Sequence, residues 1–320
     1  MLWVGYKTSR VSGENDWIRV KSMKKSIFKA SFEESLNLED DGFLQYQKQE
    51  YYNKLGKAFK KGKPSFWFGI QTFILSLLCP IGVNFMLFVL AMSLHDSDPK
   101  DLRLPISQYP LLIVELYLIC LLIWLLLVLM GKFFKRTFIL PYRYRFHIVT
   151  VMIWFMFEFN LLAITITLPI LTTWGILVFF GLLAFLAYVM LRTELRSLKK
   201  RMYGEVKSPT LQDKIAKGIA IYGAGVLGLA VIVNYILKGF SINFSSSVTG
   251  FGLFICWILL NIALIAMIVF MEFPFFLEGY YKWKYPEEYR EWEGKSVEEW
   301  YGKKSKMYQT YVKNLGDSED

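Results

Sequence analysis

Long apolar runs broken by short polar stretches set the pattern of this chain. Six of them cover about residues 66–94, 110–131, 147–169, 171–191, 218–238 and 250–273. Each meets or exceeds the roughly 20 residues that a helix rising about 1.5 Å per residue needs to cross about 30 Å of hydrocarbon. A core helix of a soluble protein would carry a polar stripe. In 110–131, by contrast, Glu115 is the single charge before an unbroken run from Leu116 to Met130, so the helix is apolar on every side. The pattern predicts an all-α integral membrane protein, a six-span transmembrane helical bundle.

The polar stretches between the runs set its orientation. The 65 residues before the first run carry 13 Lys and Arg. The 132–147 loop has five basic residues and no acid, and the 192–217 loop has eight against three. The alternate turns are poor in charge: 95–109 has Lys100 and Arg103 against three Asp, while 239–249 has none. All basic zones therefore share one face, which the positive-inside rule makes cytoplasmic. The expectation is a multi-pass protein of the cell (plasma) membrane with both termini cytoplasmic. It divides into a basic leader (1–65), a transmembrane domain (66–273) and an aromatic-rich tail (274–320). No secretory signal peptide is visible, so the first span is expected to serve as an uncleaved anchor.

Within the leader, Leu2–Val11 and Trp17–Lys21 flank Ser12 to Asp16 in a pattern consistent with a hairpin. Residues 41–61 read as an amphipathic juxtamembrane helix, with Leu44, Tyr51, Leu55 and Phe59 near one face. Lys54, Lys57, Lys60 and Lys61 mark its end and are candidates for contact with anionic lipid headgroups. In the tail, Pro286 before Glu287 and Glu288 suits a helix start, and Ser296 with Glu299 has the spacing of a capping box. The tail carries Tyr280, Tyr281, Trp283, Tyr285, Tyr289, Trp292, Trp300 and Tyr301, and two short helices rich in tryptophan and tyrosine would make an interfacial belt or a docking surface. Trp292, Trp300 and Tyr301 are the candidate partner-docking residues.

Composition narrows the chemistry. A net charge of +10 could suggest nucleic acid, but the basic residues hug the ends of the apolar runs, so no nucleic-acid partner is expected. Cys79, Cys120 and Cys256 each fall inside a run, without the spacing of a metal site or a disulfide framework. The only histidines, His95 and His147, are expected at opposite membrane faces. There is no phosphate-binding loop, no Gly-x-Ser-x-Gly elbow and no His-Glu-x-x-His pair. Neither an enzyme nor a bound cofactor or metal is expected.

Polar residues inside the runs stand out because each costs free energy there. Glu158 lies mid-span, where an acid is penalised by roughly 2.5–3.5 kcal/mol or more. With Asn160, Thr165 and Thr167 it could line an ion or proton path; alternatively it is a neutral acid bonded to Asn84, Asn160, Asn234 or Asn261. Glu115 sits near the outer interface, and Glu272 and Glu278 at the inner end of the last run are expected to be solvated. Ala220, Ala224, Gly225 and Gly228 give the fifth run a small-residue seam for helix packing, within the bundle or between protomers of a homo-oligomer.

Two functional classes follow. The first is a non-enzymatic, partner-binding membrane subunit: an accessory component of a transport or secretion system, or a toxin or bacteriocin immunity protein. The alternative is a proton- or cation-coupled permease using Glu158. The scarcity of polar residues along the spans and the two sizeable polar segments favour the first.

Overall fold

The computed structural model describes residues 25–39, 44–46, 48–49, 53, 66–98, 100–102, 105–131, 137–204, 246–302 and 305–316. Among them every regular element is helical. We number the α-helices α1 (Phe32–Leu36), α2 (Phe66–Phe73), α3 (Cys79–Asp96), α4 (Val114–Gly131), α5 (Leu140–Tyr203), α6 (Ser246–Met267), α7 (Phe273–Lys284), α8 (Pro286–Trp292), α9 (Val297–Tyr301) and α10 (Lys306–Gly316). Four continuous stretches, Ile70–Asp96, Val114–Gly131, Thr137–Tyr203 and Phe251–Lys284, are long and apolar enough to cross a membrane. The leader hairpin, the four lysines from Lys54 to Lys61 and the seam of Ala220, Ala224, Gly225 and Gly228 lie outside the described residues.

Helix α5, 64 residues long, covers the third and fourth apolar runs and reverses direction at Thr172, whose backbone is not helical (φ 57°, ψ 167°). Trp257 of α6 proves the reversal. Asn160 accepts a hydrogen bond from its indole, and the Phe179 ring lies 4.2 Å from it, centroid to centroid. On one straight helix those two positions would be about 28 Å apart. The first arm therefore runs antiparallel to α6, with Asn160 opposite Asn261 and Arg145 opposite Glu272. The second runs parallel to it, with Phe179 beside Trp257 and Met190 packed with Ala266 and Phe270.

Two π-helical segments interrupt otherwise continuous helices. Ile74–Leu78 joins α2 to α3, and Ile268–Glu272 joins α6 to α7. Pro80 and Pro274 sit at the first positions of the helices that follow. A proline inside a helix removes one backbone donor and crowds the preceding turn, and a wider π turn placed just before it absorbs both defects. The pattern of apolar residues ends the last run at 273, whereas the helix continues to Lys284. Hydropathy reports the change of environment there, not the end of the helix.

At the end of the bundle that holds Arg145 and α7, three distant parts of the chain fold together as a base. Ile27, Ala30 and Leu38 from the leader pack with Phe138, with Leu198 and Met202 at the end of α5, with Leu277 and Tyr281 of α7, and with Tyr289, Trp300 and Tyr301 beyond it. Leu44 is buried against Tyr142 and Phe275, so this apolar position of the predicted juxtamembrane helix packs on protein. Pro286 opens α8, and Ser296 with Glu299 forms the capping box of α9. At the opposite end, Thr165 pins the loop before α4: its carbonyl accepts from Ser107 at 3.0 Å and its hydroxyl from the Leu111 amide at 3.3 Å.

Candidate functional site

Glu158 is fully buried. Its Oε1 accepts a 2.6 Å hydrogen bond from the Trp154 indole one turn earlier, and its Oε2 has no hydrogen-bond partner among the described residues. Of the asparagines the sequence offered, Asn84, Asn160 and Asn261 bond elsewhere, and Asn234 lies outside the described residues. An aromatic wall surrounds the pair. Trp154 lies 5.3 Å from Trp124 and 6.2 Å from Tyr117, both from α4, and Phe88 of α3 stacks on Tyr117 at 5.6 Å. Tyr117 and Cys120 of α4 pack in the same cluster as Trp154. At the end of the same face nearer the base, Trp124 reaches His147, whose Nε2 lies 2.6 Å from the Ser76 carbonyl.

Asn160 and Thr165 do not join Glu158. Asn160 and Asn261 exchange amide hydrogen bonds of 3.0 and 2.9 Å, with the Trp257 indole donating to the same Asn160 oxygen. The Thr165 hydroxyl donates to the Leu161 carbonyl at 2.9 Å while accepting from Leu111. Both residues act as ties: Asn160 joins α5 to α6, and Thr165 holds the loop before α4. Such interhelical bonds contribute about 0.6 kcal/mol each on average.

A second polar cluster lies in the base, where solvated acids had been expected. Glu272 and Glu278 are both buried. Glu272 pairs with Arg145 at 2.9 Å, joining the first arm of α5 to the segment before α7. Glu278 lies against the ammonium groups of Lys48 and Lys282, while Lys282 also meets Glu293 and stands 3.9 Å from Glu39. Lys48 in turn holds Glu39 at 2.9 Å, and Lys295 holds Glu293. Three acids and three lysines from the leader, α7 and the tail thus neutralise one another. The lysine pairs hold the Glu293 carboxyl below its ordinary range against the opposing effect of burial, whereas burial outweighs the lysines at Glu39 and raises it. The rings of Tyr289 and Trp300 flank Lys282 at 5.7 and 5.9 Å.

Trp300 and Tyr301 spend their surface inside the chain: Trp300 stacks on Phe138 at 4.7 Å, and the Tyr301 hydroxyl donates to Glu287. Trp292 is 52% exposed. Beyond it, α10 attaches through Tyr308, whose hydroxyl donates to Glu298 at 3.3 Å, and leaves Met307 and Tyr311 exposed.

The base network was hard to read from sequence because its members lie as far apart as Glu39 and Lys295, but the Trp154–Glu158 bond had a local signal in its four-residue spacing on one helix face. No protein family matches the chain, and no characterised protein or solved structure resembles it. Among the described residues no three or more His, Cys, Asp or Glu side chains gather as a metal site would require.

Proposed function

We propose that the chain is a non-enzymatic subunit of a membrane assembly that binds a protein partner through its base. The observation that carries this reading is the contrast within that base. Its core is closed by tyrosine hydrogen bonds and by the buried lysine–glutamate network, yet Trp292, Met307 and Tyr311 remain exposed on the helices at its edge. Exposed aromatic and methionine side chains on a rigid support are the anchors protein interfaces favour. Against a permease path along Glu158, Asn160 and Thr165 stand the hydrogen bonds that occupy the last two.

The topology we assign is six spans in a plasma membrane, with the base and both termini on the cytoplasmic face. Support comes from the distribution of Lys and Arg and from the reversal of α5 at Thr172, which gives two crossings in one helical stretch. An accessory role in transport or secretion and an immunity role against a membrane-active toxin both suit such a subunit.

The test is purification in mild detergent from the native membrane, comparing wild type with Trp292→Ala and with Met307→Ser/Tyr311→Ser. We expect a stoichiometric partner that these variants lose while keeping wild-type thermal stability. A partner retained by both variants, or a wild-type chain purified alone, overturns the proposal.

A further inference from the structure

The aromatic cluster around Glu158 does not serve the base, and it holds a buried acid with one oxygen that has no partner among the described residues. We propose that Glu158 is an intramembrane proton-binding site, occupied in the packed state of the α3–α4–α5 junction and emptied only when that junction opens.

The neighbours decide which ligand the oxygen takes. Among the described residues the Trp154 indole donates to Oε1, and Tyr117 and Cys120 of α4 pack in the same cluster as that indole. Residues 80–93 of α3 and 251–267 of α6 carry no charged side chain, and the nearest imidazole on α5, His147, lies three helical turns away. A Ca2+ or Mg2+ ion needs about six oxygen ligands, which an indole, a phenol and a thiol do not supply. A proton needs one. Placed on Oε2 it neutralises the carboxyl, leaves Oε1 free to accept from Trp154 and removes the cost of holding a charge among apolar side chains.

The same geometry couples proton loss to movement. Among the described residues an ionised Glu158 would keep one hydrogen bond, from Trp154, and pair with no cation. The charge must then reach water or a new donor, so the α4 wall has to separate from α5. Cys120, on that wall and half-buried, reports the separation.

Two measurements on the full chain in lipid bilayers test this. Infrared spectroscopy should show a carboxylic-acid carbonyl band that shifts in D2O, weakens as the pH is raised and is lost in Glu158→Gln. Labelling of Cys120 by a membrane-permeant maleimide, with Cys79 and Cys256 replaced by Ser, should rise with pH severalfold more in wild type than in Glu158→Gln, which stays neutral. Comparing the two at each pH cancels the ionisation of the thiol itself. If the two proteins share one infrared spectrum, or if the band resists both alkali and D2O, Glu158 is not an exchanging site and the proposal fails. Identical labelling profiles overturn the coupling to opening.

Discussion

Ala30 and Tyr281, 251 positions apart, are joined by a buried hydrogen bond: the tyrosine hydroxyl accepts from the Ala30 amide at 3.0 Å and itself donates to the Ile27 carbonyl. One phenol thus holds two backbone groups of the leader against α7. Tyr285 and Tyr289 extend the clamp, donating to the Ala30 carbonyl at 2.8 Å and lying 2.9 Å from the Ser35 hydroxyl.

Replacing Tyr281 with Phe keeps the ring but strands the Ala30 amide in the core. An unsatisfied buried donor costs about 1–3 kcal/mol. The expected result is release of residues 26–38 without loss of the bundle, seen as faster hydrogen exchange there and faster tryptic cleavage after Lys29. Unchanged protection would show that the packing of Ile27 and Leu38 holds the segment by itself.

Lys282 should be the least replaceable residue of the base. Lys282→Met fits the space but leaves the buried Glu278 with Lys48 alone and removes one of the two lysines beside Glu293. Breaking a buried pair from one side costs about 3–5 kcal/mol. We expect a large drop in thermal stability in detergent, and Lys282→Met/Glu293→Gln should recover part of it by removing a half-buried charge left with Lys295 alone. Additive losses in the double variant would count against direct coupling.

The two shifted acids of the network act on stability in opposite directions. The Glu293 carboxyl is lowered from its ordinary 4.5, so its contribution is complete above that pH and disappears as the pH falls through the lower folded value. Glu39 is raised from 4.5, so its contribution is complete below that pH and is lost as the pH rises through the higher folded value. A pH series of unfolding midpoints should show Glu293→Gln flattening the acid limb and Glu39→Gln removing the decline just above it. If the two substitutions leave both limbs in place, other acids set them.

The sequence showed the bundle more clearly than the base because the two rest on different kinds of information. Apolar runs are local, so the stretches around Trp124, Glu158 and Trp257 could be placed in the membrane by inspection. Pro286 and the Ser296–Glu299 box also revealed their helix starts, since capping depends on neighbours three residues apart. The burial of Glu278 depends on Lys48 and Lys282, and that of Trp300 on Phe138. Only the tertiary fold brings those partners together, so hydropathy alone assigned Glu278 to water and Trp300 to a docking surface.

Close packing makes Gly279 sensitive to a single methyl group. A Cβ there would stand 2.7 Å from Cδ1 and 2.8 Å from Cγ of Tyr142, a buried ring wedged against Phe275 at 4.6 Å. The ring has little room to retreat, and overpacking of this kind costs about 1–3 kcal/mol. Gly279→Ala is expected to lower the unfolding temperature, with Gly252→Ala, where a Cβ meets nothing within 4 Å, as the control. Equal midpoints for the two variants would mean that α7 shifts freely on Tyr142.

The hairpin of α5 turns at a residue poorly suited to its backbone. Thr172, at φ 57° and ψ 167°, adopts a conformation essentially reserved for glycine, and a β-branched side chain there costs about 1–3 kcal/mol. Glycine removes the strain and adds back about 0.5–1 kcal/mol of backbone entropy in the unfolded chain. Thr172→Gly should therefore raise the unfolding temperature slightly, whereas Thr172→Val, which keeps the branch and loses the hydroxyl, should not. A fall for Thr172→Gly would mean that contacts of the threonine side chain outweigh the strain. The two substitutions thus separate backbone conformation from side-chain contact at the point where the third and fourth apolar runs fold back on each other.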